Sequence, residues 1–193
     1  MIVNHTGNPY KNKILTIPNV LSLVRIALIP VFVWAYCKKE SGLLTAFLLA
    51  LSGLTDSIDG FIARKFNMIS DLGKILDPIA DKLTQAAMLL CLVTQFPLML
   101  MPFILLLIKE TAVGLTGLMV IKNTGSVCGA VWHGKVNTCL LYAVMILHVL
   151  WANIPQLLSH GLIFLCTGTM ALSFLLYIMR NLRLIATGKR LQK

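Results

Sequence analysis

Residues 56–81 read DSIDGFIARKFNMISDLGKILDPIAD and hold four aspartates in two pairs. Asp56 and Asp59 are three residues apart, and Asp77 and Asp81 are four apart, so each pair lies on one face of a helix. The whole chain has only seven acidic residues. Four carboxylates that face one another near a bilayer repel, and they are costly to desolvate unless they bind cations. The pattern therefore predicts a metal site.

The predicted metal is Mg²⁺ or Mn²⁺, because carboxylate oxygens suit hard divalent cations. Mg²⁺ usually keeps coordination positions that phosphate oxygens take. Four carboxylates can hold two such ions, an arrangement typical of phosphoryl-type transfer. We therefore expect an enzyme with a two-metal site. The alternative is a set of structural salt bridges, which would not need the paired spacing. Their basic partners would be Arg64, Lys65, Lys74 and Lys82.

The rest of the chain has the composition of a membrane protein. Of its 193 residues 58% are hydrophobic and 12% are charged, and the mean hydropathy is +0.84. Soluble domains carry about 25% charged residues. Six apolar stretches recur, most of them near the length of about 20 residues that a crossing needs. They cover about residues 17–36, 41–58, 78–96, 98–121, 136–151 and 159–179. The sequence predicts an all-α integral membrane protein with six transmembrane helices.

The basic residues predict the orientation of these helices. Of the 17 lysines and arginines, only Lys38 and Lys39 fall in the turns after the first, third and fifth stretches. The positive-inside rule then predicts that both termini, and the aspartates, lie on the cytoplasmic side of the cell membrane. The net charge of +10 is therefore interpreted as contact with membrane lipids and not with nucleic acid. Arg180 and the basic residues after it would meet anionic headgroups.

Three segments make up the predicted organisation. Residues 1–16 form a cytoplasmic arm with an interfacial helix, residues 17–182 form one six-helix domain, and residues 183–193 form a basic cytoplasmic tail. The first stretch is expected to be retained rather than cleaved, because Arg25 interrupts it. Polar connections at residues 64–77 and 122–135 lie on the side of the aspartates. Pro78 follows Asp77, which predicts a helix that starts at Pro78 with Asp77 as its N-cap.

Eight residues of this region stand at fixed gaps: Asp56-x2-Asp59-Gly60-x2-Ala63-Arg64-x8-Gly73-x3-Asp77-x3-Asp81. At every defined position this pattern resembles the signature of the CDP-alcohol phosphatidyltransferase family. The resemblance implies transfer of a phosphatidyl group from CDP-diacylglycerol to an alcohol, with release of CMP. It also implies six transmembrane helices, cytoplasmic termini and a homodimer.

The same resemblance implies a role for each residue of the pattern. Asp56, Asp59 and Asp77 would hold the metals. Asp81 would contact the second metal and act as the base on the acceptor hydroxyl. The residues that would contact the nucleotide of CDP-diacylglycerol are Gly60, Ala63, Arg64, Gly73 and, where such enzymes often have a hydroxyl residue, Ser70.

The first stretch begins TIPNVLSLVRIALIP at Thr16 and is similar to the start of phosphatidylglycerophosphate synthases and their relatives. Asn19 and Ser22 share a helical face with Arg25, so we expect them to line the CDP-diacylglycerol site. Arg25 inside an apolar helix is a functional candidate by default, and we expect it to bind the acceptor. Its alternative role is to pair with an aspartate.

Two lysines are the remaining candidates for acceptor binding. Lys135 begins a G-K-x-x-T segment that resembles the branch of the family that uses glycerol 3-phosphate. Lys109 stands in Lys-Glu-Thr where that branch has Arg-Glu and an aromatic residue, and lysine lacks the bidentate fork of arginine. We expect glycerol 3-phosphate as the acceptor and phosphatidylglycerol phosphate as the product. Phosphatidylglycerol giving cardiolipin, inositol phosphate and serine stay open as acceptors.

Two functions of other classes also use acidic helices. Isoprenyl diphosphate synthases carry D-D-x-x-D clusters, but this sequence has no adjacent aspartates. A divalent cation transporter is a rival that is not an enzyme. It would place acids near the bilayer midplane on several helices, whereas these acids cluster at the predicted ends of two.

Overall fold

The computed structural model describes residues 16–38, 42–65, 73–124 and 132–191. Within these ranges the side chains at 17–18, 56–65, 74–75, 122–124 and 188–191 are outside the description. The described residues form α-helices, one 3₁₀ turn at Pro97–Met99 and short connections, with no strand among them. The helices are α1 Ile17–Lys38, α2 Gly42–Lys65, α3 Gly73–Val93, α4 Leu100–Thr124, α5 Trp132–Leu150 and α6 Gln156–Leu191.

Four segments are long and apolar enough to cross a membrane: Asn19–Lys38, Pro97–Ile121, Trp132–Leu150 and Gln156–Thr187. The apolar part of α2, Gly42–Thr55, is shorter. The first turns of α3 carry charged residues at positions 74, 77, 81 and 82, and its apolar part begins only after them. The prediction of an all-helical protein is therefore confirmed for the described residues, and four of their segments are candidate membrane spans. Six crossings stay a prediction.

The helices fall into two compact units, and each is described by itself. The first contains the chain up to Cys91 together with Val149–Ala152, and the second contains Leu92–His148 and Asn153–Lys193.

In the first unit, α1 packs against α2. Thr16 caps α1, because its hydroxyl oxygen accepts a hydrogen bond from the backbone N–H of Asn19 at 3.4 Å. Asn19, Ser22 and Arg25 are all buried, with 1%, 0% and 0% exposure. Their neighbours Val20 and Leu23 are exposed. The polar residues of α1 therefore share the face that turns inward, as their spacing predicts.

Helix α3 begins at Gly73, five residues before the predicted start. The prediction that Asp77 caps this helix is wrong, because Pro78 lies inside it. Proline lacks an N–H and removes one bond of the helical ladder, here to the carbonyl of residue 74. The helix continues through Pro78, so Asp77 and Asp81 both project from helical backbone one turn apart.

The inward face of α3 becomes apolar beyond Gln85. The buried residues after Asp81 are Thr84, Gln85, Met88, Leu89 and Leu92. They recur at intervals of three and four residues, the period of one helical face. Asp81 and Gln85 thus lie on the same face as the apolar positions that pack this helix.

Gly42, at the start of α2, permits a close approach in the first unit. A Cβ at this position would stand 2.7 Å from the carbonyl oxygen of Val149. Because real Cβ atoms do not come that close to a backbone oxygen, only glycine fits here without a shift of the backbone.

In the second unit, α4 packs against α6. The buried positions of α6 recur at intervals of three, four or eight residues: Ser159, Ile163, Cys166, Met170, Ser173 and Asn181. Polar residues stand at both ends of this face and apolar ones between them.

At the Ser159 end of this face, the imidazole Nδ1 of His148 lies 2.8 Å from the Val144 carbonyl oxygen, and its Nε2 lies 3.0 Å from Ser159 Oγ. A carbonyl only accepts, so Nδ1 carries the proton and Nε2 accepts from the serine hydroxyl.

Candidate active site

Asp77 and Asp81 form the described part of the predicted metal site. Asp77 is half-buried, and one of its oxygens accepts a hydrogen bond from the hydroxyl of Ser22 on α1. Asp81 is 8% exposed. The described part of the site is therefore a pair of carboxylates one turn apart on α3, the first of which is hydrogen-bonded to Ser22 of α1.

The carboxylate of Asp81 has two further partners on its own helix. The amide nitrogen of Gln85 lies 2.9 Å from each of its oxygens. The ammonium of Lys82 lies 3.3 Å from Oδ2. One of the structural salt bridges considered as an alternative from the sequence, between Lys82 and Asp81, is thus present. Since the lysine side chain is 29% exposed, this pair contributes about 0–1 kcal/mol and does not account for the aspartate's position.

Asp56 and Asp59 both lie in the last turns of α2, as their spacing predicts. Their side chains are outside the described set. Among the described side chains no group of three or more His, Cys, Asp or Glu residues is placed to hold a metal ion. The two described carboxylates nevertheless fit Mg²⁺ or Mn²⁺, because they provide hard oxygen ligands and neighbouring donors that fix their orientation.

The residues predicted to contact CDP-diacylglycerol are described to different extents. Asn19 and Ser22 are buried on α1, and the hydrogen bond from Ser22 joins this set to Asp77. Gly73 is buried as the first residue of α3. For Gly60, Ala63 and Arg64 only the helical backbone of α2 is described, and Ser70 lies outside the described residues.

The three residues predicted to bind the acceptor lie in different units. Arg25 is fully buried in the first unit, one turn after Ser22. Lys109 and Lys135 lie in the second unit. Lys109 is 5% exposed, and its ammonium lies 3.3 Å from the carboxylate of Glu110. Lys135 is exposed in the first turn of α5.

A polar cluster in the second unit was not predicted as a whole. The Nδ1 of His133 lies 3.1 Å from Ser173 Oγ, and the imidazole meets the ring of Tyr177 edge to face, with centroids 4.8 Å apart. The guanidinium of Arg180 lies 5.3 Å from the centroid of the same ring, within the range of a cation–π contact. Tyr177 therefore stands between an imidazole and a guanidinium.

Lys109 lies in the same unit as this cluster. Its charge and that of Arg180 both act on the imidazole of His133. The carboxylate of Glu110 lies 3.3 Å from the ammonium of Lys109. An arrangement of an ammonium, a guanidinium and an imidazole is suited to a phosphate group.

The absence of a side chain at Gly134 lets Tyr177 pack closely against the start of α5. A Cβ on Gly134 would stand 2.5 Å from the tyrosine hydroxyl oxygen. The hydroxyl of Thr138, which closes the G-K-x-x-T segment, donates to the Gly134 carbonyl at 3.1 Å. In this segment Gly134 leaves room for the ring of Tyr177, and the hydroxyl of Thr138 is hydrogen-bonded within its own helix.

Sequence reasoning missed Gln85, Tyr177 and the position of Arg180. Arg180 was assigned to the headgroups with the basic tail, but α6 runs on to Leu191 and holds Arg180 over Tyr177. The signal for this was the spacing of three between Tyr177 and Arg180 on an apolar helix. Gln85 follows Asp81 by four residues, the spacing that already marked the aspartates.

Comparison with known proteins places this sequence in one family. The sequence profile of the CDP-alcohol phosphatidyltransferase family matches residues 15–183. The CDP-diacylglycerol–glycerol-3-phosphate 3-phosphatidyltransferase of Bacillus subtilis is 37% identical over 158 residues, covering 72% of this chain and 78% of that relative. The protein of the same name from Rickettsia bellii is 38% identical over 96 residues, covering 49% and 53%.

A relative with another name matches a shorter part. The cardiolipin synthase (CMP-forming) of Streptomyces coelicolor is 46% identical over 77 residues, covering 37% of this chain and 36% of that relative. The chain thus matches only about a third to a half of the length of the Streptomyces and Rickettsia relatives. It matches over three quarters of the Bacillus relative.

Proposed function

Because the chain belongs to the CDP-alcohol phosphatidyltransferase family and is an enzyme of it, we propose that it transfers a phosphatidyl group from CDP-diacylglycerol to glycerol 3-phosphate. The products are phosphatidylglycerol phosphate and CMP. The observation that carries the proposal is the pair Asp77 and Asp81 on one face of α3, at the positions where the family pattern requires them.

In this reaction Asp81 accepts the proton of the acceptor hydroxyl at a carboxylate oxygen. The acceptor oxygen forms a bond to the phosphorus that carries the diacylglycerol, and the bond from that phosphorus to the CMP oxygen breaks. Proton acceptance requires a carboxylate that is ionised and held in place. The amide of Gln85 supports the second condition, because it donates to both carboxylate oxygens.

Asp77 and Asp81, with Asp56 and Asp59 from α2, are the residues that would hold Mg²⁺ or Mn²⁺. Two such ions, when bound, neutralise the pyrophosphate and stabilise CMP as it leaves. Ser22 orients Asp77 for this role through its hydroxyl. The nucleotide would be held by Asn19, Gly60, Ala63, Arg64, Ser70 and Gly73.

The candidates for binding the phosphate of the acceptor are the basic residues Arg25, Lys109 and Lys135, together with Arg180. Lys109 is buried, so its charge is little screened by water, and Arg180 is held over Tyr177. Arg25 and Lys135 are further candidates from the sequence. Charge-assisted hydrogen bonds to a phosphate contribute about 1.5–3 kcal/mol each, enough to select a phosphorylated acceptor.

The membrane arrangement is part of the proposal. Six crossings would add α2 and α3 to the four long apolar segments. Both termini and the aspartates would face the cytoplasm, in the cell membrane, and the enzyme would be a homodimer. Proteolysis or cysteine labelling from one side of sealed vesicles tests the orientation.

The experiment on the reaction compares the purified wild type with Asp81→Asn. Release of CMP is followed from CDP-diacylglycerol with Mg²⁺ and glycerol 3-phosphate. We expect turnover in the wild type and a loss of at least about 100-fold in the variant, the lower range of what a positioned base contributes. Near-normal turnover in a folded Asp81→Asn variant would overturn the role of this aspartate.

A second acceptor has an observation in its favour. The Streptomyces relative is named a cardiolipin synthase, and Lys109 replaces the arginine of the glycerophosphate branch. Phosphatidylglycerol as acceptor would give cardiolipin by the same chemistry. Turnover with phosphatidylglycerol and none with glycerol 3-phosphate would favour this candidate. Metal uptake into proteoliposomes without any CMP release would instead favour the transporter.

A further inference from the structure

Gln85 is not part of the family pattern, yet its amide contacts both carboxylate oxygens of Asp81. It follows Asp81 by one helical turn and is 1% exposed. Its amide nitrogen lies 2.9 Å from both carboxylate oxygens of Asp81. Equal distances place the nitrogen in front of both oxygens, so the amide donates to the carboxylate as a whole.

The orientation of this amide is set by Lys82. The ammonium of Lys82 lies 3.4 Å from the amide oxygen of Gln85 and 3.3 Å from Oδ2 of Asp81. Lysine only donates, so the oxygen end of the amide faces Lys82 and the nitrogen end faces Asp81. The three side chains thus form a ring, closed by two sets of hydrogen bonds from Lys82 to Gln85 and from Gln85 to Asp81 and by the ion pair of Lys82 with Asp81.

This ring restricts the carboxylate of Asp81. The last side-chain torsion of an aspartate is broad, so a lone carboxylate turns easily. Donation from one nitrogen to both oxygens favours one orientation of the carboxylate. A carboxylate offers about four lone-pair directions, so those not used by Gln85 and Lys82 remain for a cation or a proton.

We infer that Gln85 is a positioning residue, which holds the carboxylate of Asp81 in the orientation that metal binding and proton acceptance need. The inference rests on the proposed function of Asp81. Neighbours that orient a metal ligand typically change metal affinity or activity by about 10- to 100-fold when they are removed. Gln85 acts only through Asp81 in this arrangement.

The test uses Gln85→Met, which keeps the size of the side chain and removes both donors. Mn²⁺ affinity is measured by electron paramagnetic resonance on purified protein without CDP-diacylglycerol. We expect the affinity to fall by about 10- to 100-fold, and kcat to fall with little change in the KM for glycerol 3-phosphate. Thr84→Val is the matched control. Thr84, one position before Gln85 on α3, is also fully buried, but its hydroxyl donates to the Ala80 carbonyl at 2.9 Å.

Gln85→Asn provides a second variant in case the methionine impairs folding. It keeps a polar amide but withdraws the nitrogen by about 1.5 Å, the length of one C–C bond. We expect the same loss of Mn²⁺ affinity. Wild-type affinity and kcat in either folded variant would overturn the inference. Loss of thermal stability with unchanged Mn²⁺ affinity would also overturn it, because it shows a packing role only.

Asp81→Asn separates this inference from the proposed function. If Asp81→Asn abolishes turnover while Gln85→Met behaves as the wild type, only the role of Gln85 fails. If Asp81→Asn keeps turnover and Mn²⁺ affinity, the proposed role of Asp81 fails, and that of Gln85 fails with it.

Discussion

Replacing Gly134 with alanine is expected to weaken the binding of a phosphorylated acceptor. The new Cβ would stand 2.5 Å from the hydroxyl oxygen of Tyr177, and 3.1 and 3.2 Å from two of its ring carbons. Ordinary contacts begin at about 3.4 Å, so the ring must withdraw by roughly 0.5–1 Å. Tyr177 cannot withdraw alone, because its ring touches His133 and Arg180.

The magnitude follows from these contacts. An aromatic pair contributes about 0.5–1.5 kcal/mol, and a cation–π contact about 0.5–2 kcal/mol. Disturbing both costs roughly 1–3 kcal/mol, which corresponds to about a 5- to 150-fold change in an equilibrium constant. Since Arg180 is proposed to bind the acceptor's phosphate, we expect the KM for glycerol 3-phosphate to rise by about that factor. The KM for CDP-diacylglycerol should stay near its wild-type value.

The assay is CMP release at varied glycerol 3-phosphate, with Gly168→Ala as the matched control. A Cβ on Gly168, on α6 of the same unit, meets nothing within 4 Å. Alanine at an open helical position stabilises by about 0.5–1 kcal/mol, so this control should fold at least as well as the wild type. A wild-type acceptor KM in Gly134→Ala, or an equal rise for both substrates, would refute the reasoning.

Three further predictions concern other parts of the chain. Gly42→Ala should destabilise the protein by about 1–3 kcal/mol in thermal unfolding, because its Cβ would meet the Val149 carbonyl oxygen at 2.7 Å. Gly114→Ala should not destabilise the protein, because a Cβ there meets nothing within 4 Å. Equal unfolding temperatures of the two variants would contradict the close packing of Gly42 against Val149. Lys109→Met should raise the KM for glycerol 3-phosphate by about 10- to 150-fold through one lost charge-assisted bond, and an unchanged KM would exclude it from the phosphate site. Asp59→Asn should raise the Mg²⁺ concentration that half-maximal CMP release requires and lower the rate as well. A titration that matches the wild type would remove Asp59 from the metal site.

The sequence predicted the helices well where apolar period and charge spacing agree. Asp77 and Asp81 share one face of α3, and Asn19, Ser22 and Arg25 share the buried face of α1. These results follow from helical geometry alone, since spacings of three and four residues fix a common face.

Helix ends were less predictable, because the local signals competed with each other. Pro78 is typical of a first helical position, yet α3 starts at Gly73. A proline near a helix start removes one backbone bond, and packing of the buried positions beyond it is enough to offset that loss.

The cluster around Tyr177 could not be predicted from spacing within one helix. It joins residues of α5 and α6 that are about 40 positions apart, such as His133 and Ser173. Only the fold brings such residues together. Arg180 was therefore grouped with the basic residues that begin at Arg183, and its contact with the ring of Tyr177 was not predicted.

The central claim is that this chain transfers a phosphatidyl group to glycerol 3-phosphate. The most direct measurement incubates purified, metal-loaded protein with CDP-diacylglycerol and offers glycerol 3-phosphate, phosphatidylglycerol, inositol phosphate and serine in separate reactions. We expect CMP release with glycerol 3-phosphate and none with the other three. Release with a different acceptor would contradict the proposed product, and no release with any acceptor from folded protein would contradict the proposed chemistry.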